Sequence, residues 1–434
     1  MKYANILVTG STRSGKTSAE KRRLVEAAED GAAIVVADPH RDSLAAGLME
    51  ALVARGHQKR IIFDRLGDFD RVIGFDFVPR PASPPGSLQR LNEVDELARS
   101  FIDILLRRRQ MESLATAALT EEWLLPAIML YIEQEDHPEL SILNYAFGPT
   151  DHPAFRRLLH RCTNRDVADR FREIEKGKIS RGQYAPAERL LKGVCGSPAF
   201  AARCGSTFQL GPFLDRRGIL LIEGGGNVSD DAQRTILGSA ILQTIRHVRS
   251  RSRPNPPIIL CMDEANNAGL IGASGYEMRA AAECQKMGLA LHVLVQSLNF
   301  PSAEITEGML TNCLVHEWFF AANEAVIRKA TADLGSKDYE ADLRSLKPGE
   351  RMVKDRNHGV YREYVPLLDD PWGFPGLGKK KAERALEEIK RTRPEYRTPT
   401  VIQWHTPDPS PSDRQPSREM PLLPPESQNT NLGI

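Results

Sequence analysis

The sequence predicts an α/β fold with a mainly parallel sheet, interrupted by an all-helical insertion domain. Three observations predict it. Short apolar runs alternate with helical periods early and again late in the chain, which is the pattern of a parallel sheet covered on both faces. Each run is hydrophobic throughout rather than at every second residue, as a strand buried on both faces requires. Between the two α/β stretches, the helical period stands almost alone.

Ala4–Thr9 is an apolar run closed by glycine and reads as the first strand. Thr17–Asp30 follows as a helix with Leu24, Ala27 and Ala28 on one face and Gly31 as its stop. Ala33–Ala37 is a second buried strand, ending at Asp38-Pro39. Ser43–Arg55 is a helix stopped by Gly56, and Arg60–Asp64 a third strand. The Pro-rich Arg80–Gly86 then breaks the pattern, and helical spacing runs from Ser87 to about Cys204, including Glu93–Arg107 and Glu121–Tyr131. Pro126 in the second of these predicts a kink or a split. The α/β texture returns with strands over Gly218–Glu223, Pro257–Met262, Leu289–Val295 and Leu314–Ala321. Helices are predicted over Asp230–Arg249, Gly275–Met287 and Glu324–Asp333. Lys379–Arg391 is a charged helix, and beyond Thr398 no apolar period survives. No internal repeat is visible. The predicted boundaries are 1–79 and 215–366 for the two parts of the α/β domain and 80–214 for the helical insertion. A basic helical element covers 367–397, and a disordered Pro/Ser-rich tail covers 398–434.

Composition excludes some classes. With 58 Lys and Arg against 57 Asp and Glu, the net charge is +1. No global basic field draws in nucleic acid, so any such contact must be local. Six cysteines without metal-site spacing read as reduced thiols of a cytoplasmic protein. No run approaches the ~18 apolar residues of a membrane span, so no direct membrane insertion is expected and a membrane role would need an anchored partner.

Gly10-Ser11-Thr12-Arg13-Ser14-Gly15-Lys16-Thr17 fits the GxxxxGK[ST] phosphate loop at every fixed position, between a strand and a helix. Gly10 and Gly15 permit the tight turn that aims successive amides at a phosphate. The helix start adds its positive dipole end. Lys16 would reach the β- and γ-phosphates of ATP and the Thr17 hydroxyl would ligate Mg²⁺. Ile258–Met262 runs into Asp263 and Glu264 at the strand edge where ligands gather in parallel sheets. Asp263 would hold Mg²⁺ and Glu264 would act as general base. Gln296, after the Leu289–Val295 run, reads as a γ-phosphate sensor or as a strand-end cap. Asp38, closing the second strand in Asp38-Pro39-His40-Arg41-Asp42, reads as part of the nucleotide site. A turn at Pro39 with Asp42 as helix cap explains the same residues.

The order GSTRSGKT, VVADPHRD, a helical insertion, ILLIEGG, IILCMDEANN, VLVQSLN and a late Lys347–Glu350 turn resembles the HerA–FtsK superfamily of DNA-pumping ATPases. HerA-like helicases and the cytosolic motor of conjugative, type IV secretion coupling proteins are the nearest in appearance. The resemblance covers roughly Met1 to Pro366. It implies a RecA-like P-loop NTPase core and a homo-hexamer with ATP between subunits and DNA in the pore. It also implies a Walker A loop at Gly10–Thr17, a Walker B pair at Asp263 and Glu264, and a sensor at Gln296. A neighbour's arginine completes such sites. Here Gln285-Lys286 stands where relatives often show Arg-Lys, which leaves Lys286, Arg279 and Arg328 as candidates. The coupling proteins' transmembrane helices have no counterpart. Phe374–Ala382 resembles the hairpin of a helix-hairpin-helix DNA contact, or is a solvated basic helix behind a turn. Arg107–Arg109 reads as a solvated cluster. The expected function is ATP-driven DNA translocation in transfer, processing or packaging, with a relaxase, nuclease or membrane-anchored protein as partner. A protein-secretion or assembly ATPase is the alternative.

Overall fold

In the computed structural model, all elements fall within one compact unit, Met1–Pro399. The described residues are 3–78, 80–106, 114–134, 140–147, 153–205, 207–272, 275–365 and 379–399. The hairpin-like Phe374–Gly378, the Arg107–Arg109 cluster and the tail from Thr400 onward lie outside them.

The chain opens with β1 (Ile6–Thr9), α1 (Lys16–Glu29), β2 (Ala33–Asp38), α2 (Leu44–Ala54), β3 (Ile61–Arg65) and the short β4 (Val72–Ile73). Seven helices follow: α3 (Leu88–Leu106), α4 (Leu114–Ile132), α5 (Pro153–Arg161), α6 (Arg165–Glu175), α7 (Arg181–Cys195), α8 (Pro198–Arg203) and α9 (Leu210–Asp215). Next come β5 (Ile219–Glu223), α10 (Asp230–Ser250), β6 (Ile258–Met262), α11 (Tyr276–Glu283), β7 (Leu289–Val295), α12 (Ala303–Asn312) and β8 (Val315–Phe319). The chain closes through α13 (Glu324–Leu334), α14 (Tyr339–Ser345), the hairpin β9 (Glu350–Asp355) and β10 (Gly359–Tyr364), α15 (Lys379–Thr392) and β11 (Tyr396–Arg397).

Nine strands form one sheet in the order β10-β9-β8-β1-β7-β6-β2-β5-β3. From β8 to β3 every pairing is parallel, and only the two pairings of β9, with β8 and with β10, are antiparallel. The predicted α/β fold with its mainly parallel sheet is therefore the observed one. Its central strands are buried along their whole length, as their unbroken apolar sequences require.

Three differences from the sequence reading have physical causes. First, α4 runs through Pro126 without a break. Proline removes the amide that would bond the Glu122 carbonyl one turn back, and the Arg170 guanidinium donates to that carbonyl instead, at 3.3 Å. Second, the end of the predicted Gly275–Met287 helix tightens into a 3-10 turn over Gln285–Met287. Third, the basic element near the C-terminus packs into the core: Ala382, Leu386 and Ile389 of α15 are buried. After it, β11 pairs with β4 in a second small sheet. The Tyr396 hydroxyl accepts from the Phe63 amide and donates to the Phe63 carbonyl, both at 2.8 Å. It thereby satisfies the backbone of Phe63 on the outer edge of β3, the last strand of the large sheet.

One buried ion pair ties α8 to β3. Arg203, 0% exposed, is bidentate on Asp64 at 2.7 and 2.8 Å and also donates to the Ala199 and Arg65 carbonyls. Arg203→Ala leaves Asp64 buried and unpaired, so it should lower stability by about 3–5 kcal/mol. The double change Arg203→Met with Asp64→Leu should cost far less, and denaturant titration of both variants measures the difference.

Candidate nucleotide site

The phosphate loop is built by its neighbours. The Gly10 amide donates to the Val295 carbonyl at 3.2 Å and the Ser11 amide to the Phe320 carbonyl at 2.9 Å, which pins the loop to the strand ends on either side of β1. Ala322 donates to the Ser11 hydroxyl at 3.1 Å. A side chain at Gly10 would place its Cβ 2.6 Å from Phe319 Cβ, so only glycine fits. Gly15 has φ +111° and Arg13 φ +63°, and these left-handed residues turn the backbone before α1 begins at Lys16. From the other side, Gly349 of the Lys347–Glu350 turn donates to the Ser14 carbonyl at 2.9 Å.

Lys16 is 7% exposed, and its Nζ donates to the Gly10 and Ser11 carbonyls at 2.6 and 2.9 Å. Burial pulls its pKa down, against the pull of Asp263 and Glu264. Thr9 Oγ1 and Ser14 Oγ are buried with no partner among the described residues. A buried hydroxyl without a partner is costly, and a phosphate oxygen is the kind of partner this loop presents itself to. Thr12 and Arg13 are exposed, while Thr17 lines a cleft shared with Lys21, Arg41, Ser43 and Glu383.

The acidic pair stands one strand away. β7 lies between β1 and β6, with Thr9 opposite Val295 and Met262 opposite Val293. The three strands end on one edge, so the loop and the carboxylates are separated by two strand spacings, about 10 Å. Asp263 is 3% exposed, and its Oδ1 accepts the Glu264 amide at 3.0 Å. Burial, aided by the charge of Glu264, pushes its pKa up to about 6. Glu264 is left-handed, with φ +46°. Its Oε1 accepts from Gln296 Nε2, and its Oε2 faces Asn267 Nδ2 at 3.2 Å and His40 Nε2 at 3.4 Å. Its pKa is held down at about 2 by the contact with His40 first, then by Gln296 and Asn267. Sequence and structure thus agree in bringing Lys16, Asp263, Glu264 and Gln296 together.

Asp38 has a different task from the predicted one. It is fully buried, and its two oxygens accept the amides of His40 at 2.9 Å and Ala45 at 2.8 Å. It closes its own loop and caps the first turn of α2, the task the sequence offered to Asp42. Burial, with Asp263 nearby, pushes its pKa up to about 7. Of the basic candidates, none joins the site of its own chain. Lys286 lies in the turn before β7, at the opposite edge of the sheet, Arg279 lines a cavity with Tyr276 and Glu283, and Arg328 is exposed on α13. Sequence reasoning missed His40 and Asn267 as partners of Glu264. Asn267 lies three residues after Glu264 on the same loop, a local spacing, whereas His40 meets Glu264 because β2 lies beside β6, which no local pattern encodes.

Beneath the site, Arg23 of α1 bridges Glu20 and Glu317 of β8, and Arg351 of β9 grips Glu317 from the far side at 2.6 Å. His292 of β7 faces Glu20. Burial alone would raise the Glu20 pKa, and His292 and Arg23 hold it instead at about 2.

The aligned phosphate loop and acidic edge fit a nucleoside triphosphate with a cation. Among the described residues, no group of three or more His, Cys, Asp or Glu could hold a metal unaided. An ion here would need the Thr17 hydroxyl, Asp263 and oxygens of the bound molecule itself. No family model and no curated protein matches the sequence. Among solved structures, the chain is similar to the bacterial conjugative coupling protein TrwB, at 14% identity and TM-score 0.60 over 86% of this chain and 85% of that one. The complex of TrwB with ADP and Mg²⁺ gives TM-score 0.61 at 14% identity over 87% of each chain. VirB4 of Thermoanaerobacter pseudethanolicus gives 0.57 at 13% identity, over 85% of this chain and 90% of that one. The fold is the one that the resemblance to coupling proteins implied.

The raised carboxyl of Asp263 carries a stability consequence. The folded chain favours its neutral form, so stability falls as pH rises from the unfolded pKa near 4 through the folded value of about 6. Asp263→Asn should therefore raise the melting temperature of the nucleotide-free protein at pH 8 by roughly 2–4 °C, with the gain vanishing at pH 4. Scanning calorimetry at both pH values checks the sign.

Proposed function

We propose that this chain is an ATP-driven DNA translocase that works as a ring of six copies. One observation carries the reading. The phosphate loop Gly10–Thr17 and the carboxylates of Asp263 and Glu264 stand on one sheet edge with a single strand between them. This occurs in a fold shared with a plasmid coupling protein solved with ADP and Mg²⁺ and with a non-hydrolysable ATP analogue.

In this reading the amides of Ser11–Thr17 bind the β-phosphate, and the Lys16 ammonium exchanges its two carbonyl partners for phosphate oxygens. Thr17 and Asp263 are the protein groups that would hold Mg²⁺, which neutralises phosphate charge. Glu264 takes a proton from the water that attacks the γ-phosphorus, and the bond to the bridging β–γ oxygen breaks. Gln296 orients Glu264 from the neighbouring strand. The chain's own Lys286, Arg279 and Arg328 lie outside its site, so a basic group that offsets the developing charge comes from an adjacent copy. A net charge of +1 gives no broad attraction for DNA, which suits contacts confined to a pore. A relaxase, nuclease or membrane-anchored partner would direct the motor to its substrate. Among the described residues, no helix is long and apolar enough to cross a membrane. A second reading is a secretion or assembly ATPase that handles polypeptide, and the likeness to VirB4 is one of fold.

Purified protein should hydrolyse ATP, and DNA should raise the rate. Glu264→Gln should keep ATP binding and lose about 10²–10⁴-fold in turnover, while Lys16→Ala loses binding as well. Turnover insensitive to every form of DNA favours the second reading, and particles without sixfold symmetry when ATP analogue and DNA are present count against the ring.

A further inference from the structure

The carboxylate assigned as general base is occupied on both oxygens. Gln296 holds Oε1, while Asn267 and His40 hold Oε2. A carboxylate satisfied by three donors is a weak proton acceptor, because each donor stabilises the charged form that has to give way. Release of one of them would make Glu264 a stronger proton acceptor and free that oxygen for water.

The three donors are not equivalent. Gln296 follows directly from the buried strand β7, and Asn267 lies three residues from Glu264 on the same loop. His40 reaches across from the β2–α2 loop, at the longest separation, 3.4 Å, and its ring is 54% exposed against 17% for Glu264. The backbone beneath that ring is fixed. Gly224 donates to the Asp38 carbonyl at 2.7 Å, Gln233 to the Pro39 carbonyl at 3.0 Å, and His40 itself to Asp38 Oδ1 at 2.9 Å. A Cβ on Gly224 would lie 2.1 Å from the Pro39 oxygen, so the two loops are in close contact. The ring can therefore swing while its backbone stays in place. Glu264, His40 and Asn267 also border a cavity of about 460 Å³ that no residue of Gly10–Thr17 lines. Both donors to Oε2 thus draw that oxygen toward a space separate from the phosphate loop.

We propose that His40 is a releasable clamp that parks Glu264 away from the phosphates, so that nucleotide bound in the absence of the motor's substrate turns over slowly. His40 acts through Glu264 and is a positioning residue. The proposal rests on Glu264 being the general base.

The test is ATP turnover without DNA, with affinity for a fluorescent ATP analogue and melting temperature measured in parallel. His40→Ala and His40→Phe both remove the donor, and the second keeps the ring's bulk. Each should raise DNA-free kcat by about 2- to 10-fold, the scale of one ordinary hydrogen bond, with analogue affinity unchanged. His40→Gln restores an N–H donor and should bring the rate back down toward that of the unaltered protein. An unchanged or lower kcat in both folded donor-less variants overturns the clamp while leaving the ATPase reading intact. A native chain that binds ATP and never hydrolyses it overturns both.

Discussion

The insertion of β7 between β1 and β6 in a single parallel sheet is the constraint from which the site follows. Parallel strands end on one edge, so a loop after β1 and a loop after β6 emerge side by side although some 250 residues of chain separate them. The intervening strand supplies Gln296 at the same edge. On the far side of β6 its other neighbour is β2, which supplies the loop of Asp38 and His40. Four loops from four strands therefore converge without any of them being long. The converging groups are mostly anionic, and burial first, then the neighbouring carboxylates, raises the pKa values of Asp38 and Asp263. A cation beside these carboxylates would favour their charged forms, which is the electrostatic logic of a metal–triphosphate site.

The helix behind the phosphate loop is held in two ways. Leu24, Val25 and Ala28 pack it onto the sheet, as apolar faces do in any α/β layer. Apolar contact is non-directional and leaves sliding motions cheap. The Glu20–Arg23–Glu317–Arg351 chain adds direction, because each bond fixes one atom against another across α1, β8 and β9. Burying these charges has a desolvation cost, and the pairing geometry has to offset it. The return is a defined position for Lys16 relative to the hairpin whose preceding turn reaches Ser14.

Much of this was readable before any coordinates. Strand and helix positions followed from unbroken apolar runs and glycine stops, because those signals are local. Lys16, Asp263, Glu264 and Gln296 were legible because each follows a recognisable strand. What escaped depended on lateral order. His40 meets Glu264 only because β2 neighbours β6, and Tyr396 reaches Phe63 across 333 positions. The uninterrupted α4 escaped for a related reason: the donor that replaces the missing proline amide, Arg170, is 44 positions away, in a different helix. Asp38 was assigned to ligand because its exposure cannot be read from sequence, and full burial changes what a carboxylate is free to do.

The single hydroxyl of Tyr396 occupies the rim of β3 at Phe63. An open strand rim invites any extended peptide to continue the ladder, whether from a partner, a misfolded neighbour or another copy of the chain. Here one phenol acts as both donor and acceptor where a tenth strand would otherwise dock, and α15 and β11 hold it there. Copies of this molecule that meet on that side must recognise one another through side chains. Contacts of that kind loosen and re-form more readily than a continuous backbone ladder does.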